Sequence, residues 1–174
     1  MYDLHSILIQ LKKEDTPLHG VMVRCVRCFY QWLDPTLWEG SALFELWAQE
    51  LELIYGDLRQ RLSPNAKTDA GSLGDRFGFD TPPELPRLLQ SIQTFYSVLI
   101  KLIAWNTLRG ATPEPPLTEL LSGRAFVNRG IRNFCGDDWY IWPLDIWDPA
   151  LETQCEELRA CLESFDTCPE GSTL

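Results

Sequence analysis

Cys25 and Cys28 form a C-x-x-C, the spacing used by zinc sites and thioredoxin-like redox centres. A zinc centre needs a second ligand pair at comparable spacing, and the two histidines, His5 and His19, lie far from each other and from any second cysteine pair. A redox centre of the thioredoxin kind needs a strand before it and a helix after it. Cys25 instead sits inside the helical run VMVRCVRCFYQWL. The pair therefore reads as buried structural thiols, since a free cysteine packs as a small apolar residue. The adjacent acids Glu156-Glu157 and Asp137-Asp138 have no histidine beside them. On a helix the first pair points about 100° apart, and the second reads as turn and cap formers. No Ser-His-Asp or Cys-His grouping can be drawn, so no catalytic residue, cofactor residue or metal ligand is assigned.

One segment does combine groups suited to recognition. In SGRAFVNRGIRNFCGDDWYIWPLDIWD, Arg124, Arg129 and Arg132 stand beside Asn128, Asn133, Trp139, Tyr140 and Trp142. Guanidinium groups next to aromatic surface suit phosphate contact with base stacking, or a protein hot spot. The alternative is a folded-back loop, its aromatics filling the core while the arginines pair with Asp137, Asp138 and Asp145.

The elements that must hold this segment are helical. LPRLLQSIQTFYSVLIKLIAWNTLR, residues 85–109, places Leu85, Leu88, Leu89, Ile92, Phe95, Tyr96, Leu99, Ile100, Leu102 and Ile103 at steps of three and four. That period predicts a central helix buried on most of its circumference. Gln90, Ser91, Gln93, Thr94 and Ser97 make its first half too polar for a membrane span. Before it, residues 2–33 hold a helical pair: Leu4, Ile7, Leu8 and Leu11 mark the first helix, and Thr16 caps the second with Pro17 at its first position. Met22, Cys25, Val26, Phe29, Trp32 and Leu33 form the inner face of the second. Ser41 is the cap of a helix over 41–62, and the Gly- and Pro-rich stretch 63–84 is a long connection with at most one helical turn. Its glycines match neither a phosphate-binding loop nor a dinucleotide fingerprint. After a proline-rich turn, 117–147 is a brief helix followed by the irregular aromatic segment. Asp148-Pro149 opens a closing helix, 149–166, with Leu151, Cys155, Leu158, Leu162 and Phe165 inward. No stretch alternates as a half-buried strand does. The expectation is an all-α domain of about five helices spanning residues 1–174.

A chain of 174 residues suits one such domain. Its net charge of −10 argues against gripping a phosphate backbone unaided. From Asp145 to Glu170, eight acids face the single base Arg159, so the closing helix carries much of the excess. Six cysteines without a secretory leader pattern point to a reducing cytoplasm.

Two stretches together resemble a known family. LFELWAQELELIYG, a loop, and SIQTFYSVLIKLIAWNTL are similar to the helical region preceding the catalytic domain of N6-adenine-specific DNA methyltransferases, as in single-chain type IIG restriction-modification enzymes and related phage-defence methylases. GRAFVNRGIRNFCGDDWYIWPLDIWDPALETQCEELRACLESFD resembles the continuation, a G-I-x-N-F turn before an acidic-aromatic stretch and a closing helix. The likeness covers roughly Leu37 to Asp166 and rests on order and spacing. The family's Gly-rich S-adenosylmethionine motif and its (Asn/Asp/Ser)-Pro-Pro-aromatic motif have no counterpart here. Thr81-Pro82-Pro83-Glu84 lacks the flanking groups that hold a flipped adenine. The resemblance implies a non-catalytic recognition or scaffold module of a DNA adenine methylation or phage-defence system, as a free-standing subunit or a piece of a methylase. Its partner would be a methyltransferase catalytic domain or another protein subunit, with DNA reached through that assembly and no membrane involved. The alternative from charge alone is an acidic interaction module, an inhibitor or DNA mimic bound to a basic surface.

Overall fold

The computed structural model describes residues 4–34, 44–50, 73–135 and 138–165, the side chains of 138 and 139 excepted. Among them are α1 (Leu4–Lys12), α2 (Pro17–Trp32), α3 (Leu85–Leu108), α4 (Leu117–Leu121), α5 (Arg124–Val127), α6 (Asp138–Ile141), a 3-10 turn (Trp142–Leu144) and α7 (Pro149–Glu163). Helical turns also occupy 44–50 and 73–76, and no strand occurs among the described residues. The class is all-α. The cap Ser41 and most of the 41–62 helix and 63–84 connection lie outside the described residues, as do Gly136, Asp137 and Cys168.

Local chemistry sets the helix starts. Thr16 accepts a hydrogen bond from the His19 amide at 3.2 Å, with Pro17 at the first helical position. Asp148 does the same for the Leu151 amide at 2.7 Å. Each side chain answers one of the amides that a helix N-terminus leaves unpaired.

α2 is the packing hub, laid against α7 on one side and α3 on the other. Leu18, Cys25, Val26 and Phe29 are buried with Leu88, Phe95, Leu102, Leu151, Cys155, Leu158 and Leu162 in one core. Trp32, assigned by periodicity to the inner face, only packs on the edge of that core. Residues 73–84 are tied to α2: the Arg27 guanidinium donates to the Gly78 carbonyl at 2.8 Å, and the Tyr30 hydroxyl accepts from the Glu84 amide at 3.0 Å.

The central helix departs from the expected burial. Tyr96 and Ile100 are 42% and 53% exposed, whereas Gln90, Ser91, Thr94 and Lys101 are buried. The polar groups can face inward because neighbours satisfy them. The Ser91 hydroxyl donates to the Arg87 carbonyl at 2.7 Å, Thr94 accepts from the Trp142 indole at 3.0 Å, and Lys101 Nζ donates to the Leu121 carbonyl at 2.6 Å. By length and composition this helix could cross a membrane, yet 56% of its most apolar window is buried against the other helices. A core helix of a soluble protein has the same character.

The expected irregular stretch after α4 is a chain of short helices. Gly123, at φ 80°, lets α4 and α5 turn sharply; a Cβ there would lie 2.2 Å from the Phe134 carbonyl oxygen, so only glycine fits.

Candidate functional site

Among the described residues, the arginines and aromatics singled out in the sequence divide between surface and core. Trp142 is 1% exposed, its ring edge-on to Phe29 at 5.9 Å and its indole N–H given to Thr94. It is a core residue, and its expected role as a partner contact is corrected accordingly. An indole binds a partner with its face, and this face is spent inside the fold. Tyr140 is half-buried, with its hydroxyl donated to Gln93 Oε1 at 3.0 Å. The side chain of Trp139 is outside the described residues.

Arg129 is exposed in part but committed. Its guanidinium donates to the carbonyls of Leu108 and Arg109 and to the Thr112 hydroxyl, and its Cζ stands 5.1 Å from the centre of the Trp105 ring. Those carbonyls end α3, where the helix leaves acceptors unpaired and its dipole is negative. Arg129 therefore caps the central helix. Arg124, Asn128, Arg132 and Asn133 are exposed.

Two shallow features border this segment. One is a groove of about 370 Å³ between α3 and α6, lined by Gln93, Tyr96, Ser97, Ile100, Phe134 and Tyr140. None of these residues is charged. The other, of about 420 Å³, lies at the end of α3 and is lined by Trp105, Thr112, Pro113, Pro115, Glu119, Ala125, Asn128 and Arg129. Of the lining residues, Asn128, Arg129 and Tyr140 were picked out by sequence. Tyr96, Ile100 and Trp105 were missed because an apolar residue at helical spacing signals burial and says nothing about which part of the face is left open.

The C-x-x-C pair is placed at the α2–α7 interface. Cys25 Sγ donates to the Gln154 carbonyl at 3.5 Å, and Cys25 and Cys155 are both buried. Burial raises all three thiols: Cys25 well above its ordinary value, Cys28 to about 11 and Cys155 to about 12. The Cys28 thiol, Glu156 and Glu152 push Cys155 further the same way. Thiols so protonated are poor nucleophiles. Among the described residues, no three His, Cys, Asp or Glu side chains are grouped as a metal would need. Glu157 pairs with Arg24 at 2.6 Å, and Glu156 pairs with Arg159, whose Nε also stands 3.8 Å from Glu114.

No family model, curated protein or solved structure matches the chain.

Proposed function

We propose that the chain is a non-catalytic helical interaction module, a recognition or scaffold subunit that works in the cytoplasm through a protein partner. The observation that carries this reading is the uncharged groove on α3. In a protein of net charge −10, the exposed stripe through Tyr96 and Ile100 is apolar, and the Tyr140–Gln93 hydrogen bond holds its far wall in place. Apolar side chains on a rigid, fully formed helix bind with little ordering cost. The catalytic partner takes its class from the resemblance to the helical region of adenine methyltransferases: a chain with the S-adenosylmethionine and adenine-binding motifs. Direct DNA contact draws less support, because Trp142 is buried in the core and Arg129 is committed to the end of α3. The acidic-mimic alternative is weakened in the same way, since Glu156 and Glu157 of α7 already face arginines.

The test is co-expression with a chain that carries the S-adenosylmethionine and adenine-binding motifs, taken from the neighbouring reading frame if that frame encodes one. The two should co-elute in size exclusion. Ile100→Glu with Tyr96→Glu should abolish that association and leave the helical circular dichroism of the free chain unchanged, as both sites are open to water. Co-elution unaffected by the double substitution would overturn the groove as the contact. Salt-sensitive binding of the chain alone to duplex DNA, lost on Arg132→Ala, would overturn the protein-partner reading.

A further inference from the structure

An open groove of about 510 Å³ runs between α2 and α7, apart from the two features that border α3. Arg24 and Arg27 line it with Cys28, Gln31, Ala150 and Gln154, and among the described residues no carboxylate does. The two guanidiniums differ in what they already hold. Arg24 is neutralised: its Nη2 donates to Glu157 at 2.6 Å and its Nε to Gln154 Oε1 at 3.3 Å. Arg27 is exposed and has no carboxylate partner among the described residues. Its Nη1 donates to the Gly78 carbonyl and its Cζ stands 5.6 Å from the centre of the Phe79 ring. Only one of its five N–H groups is engaged, so a positive charge stands uncompensated in a protein of net charge −10.

The fork of Arg27 has a direction. In a planar guanidinium the Nε–Nη2 edge faces away from Nη1, so with Nη1 on Gly78 that edge is turned from residues 78 and 79. Phe79 packs on Tyr30, the ring centres 4.8 Å apart. At 100° per residue, Tyr30 lies about 60° to one side of Arg27, whereas Gln31 and Cys28 lie about 40° and 100° to the other. The groove opens on that other side, and the free edge of Arg27 is turned to it. Gln154 stands across the groove with its amide oxygen taken by Arg24, which leaves its NH2 group to donate.

We propose that the α2–α7 groove binds a carboxylate group, held in the plane of the Arg27 fork by Nε–H and Nη2–H, with its aliphatic carbons against Val23 and Ala150. A carboxylate offers two oxygens at the spacing of that edge, and its single charge matches the one uncompensated arginine. A phosphate monoester brings close to two charges at neutral pH, more than one guanidinium offsets in an acidic protein. A neutral amide leaves the charge of Arg27 as it was. A free aliphatic acid and the glutamate of a peptide carry the same group, and the test separates these sources. The proposal does not rest on the α3 groove or on the identity of any protein partner.

The full ¹⁵N-labelled chain is titrated with butyrate and, separately, with a capped alanine–glutamate–alanine tripeptide. Butyramide and the glutamine form of the peptide are the neutral controls, and diethyl phosphate is the tetrahedral monoanion. The Arg27 Nε–H signal is identified by its loss in Arg27→Lys. A carboxylate ligand should move that signal and the Ala150 and Gln154 amides with saturation, and its neutral control should bind about tenfold more weakly. Saturation by butyrate alone assigns a small free acid, by the peptide alone a protein side chain, and by both the carboxylate whatever bears it. Arg27→Lys keeps the charge but loses the fork, and should weaken binding, read from the Ala150 amide, about tenfold. Ala150→Glu, at an exposed position of α7, sets a like charge in the groove and should abolish binding with the helical circular dichroism unaltered. An unmoved Arg27 signal, equal binding of the neutral controls, tighter binding of diethyl phosphate, or binding that survives Ala150→Glu would each overturn the proposal.

Discussion

A single hydrogen bond decides what Trp142 does. Its indole N–H is buried with the Thr94 hydroxyl, each answering the other in a site closed to water. Trp142→Phe keeps an aromatic ring but removes the donor and opens a void, so unfolding in urea should show a loss of about 2–4 kcal/mol. Thr94→Val removes the acceptor at nearly constant volume, and the stranded indole should cost about 1–3 kcal/mol. The double variant should lose less than the sum, since the second change removes a group already unpartnered. The thiols give a pH-dependent effect at the same scale. Cys155 has an ordinary value of 9.0 unfolded and about 12 in the fold, so the folded state holds its proton more tightly. Its stabilising effect is whole below pH 9 and is lost as pH rises towards 12. Urea midpoints should therefore fall above pH 9, and Cys155→Ala should flatten that fall while lowering the neutral midpoint slightly.

Between elements, cations of one helix or turn repeatedly close the C-terminus of another. Arg87 of α3 gives its Nε to the Tyr30 carbonyl at 2.6 Å and a terminal N–H to Gln31 at 3.1 Å, at the end of α2. Lys101 closes α4 and Arg129 closes α3. The Arg87 guanidinium also lies 4.1 Å from the centre of the Tyr30 ring and faces Asp34. Arg87→Met should destabilise by about 1–2 kcal/mol, and amide exchange should quicken in the last turn of α2, where Leu33 donates to Phe29. Arg87→Lys should restore only part of this, because an ammonium cannot serve both carbonyls from a planar fork. These cross-helix caps explain what the sequence could and could not show. Thr16-Pro17 and Asp148-Pro149 were legible because a cap acts on amides within three residues of itself. The heptad-like spacing of α3 located the helix to within one residue of its end. Its rotation was not legible, because burial of Ser91, Thr94 and Lys101 depends on Arg87, Trp142 and Leu121, of which the last two are distant in the chain. The candidate site was half legible for the same reason: a run of Arg, Asn and Trp signals recognition or packing equally, until the acceptors at the end of α3 are placed beside Arg129.

For the whole molecule the dominant unspent quantity is negative charge. Arg24 and Arg159 offset Glu157 and Glu156 on α7, but the last turn of that helix holds no cation and ends in Glu163, which is exposed at the negative end of the dipole. A carboxylate there meets both the helix carbonyls and the net charge of −10. Glu163→Lys should therefore stabilise the fold by a few tenths of a kcal/mol to about 1 kcal/mol at low ionic strength. The gain should shrink as salt is raised, because the Debye length falls to about 8 Å near physiological ionic strength. Glu157→Gln should act the other way by a similar small amount, since it removes the half-exposed partner of Arg24 and not a repelling charge. Opposite signs from two carboxylates on one helix, measured by urea midpoints at low and high salt, would assign the effect to local pairing. Equal stabilisation by both substitutions would instead mean that overall repulsion outweighs every pair on α7.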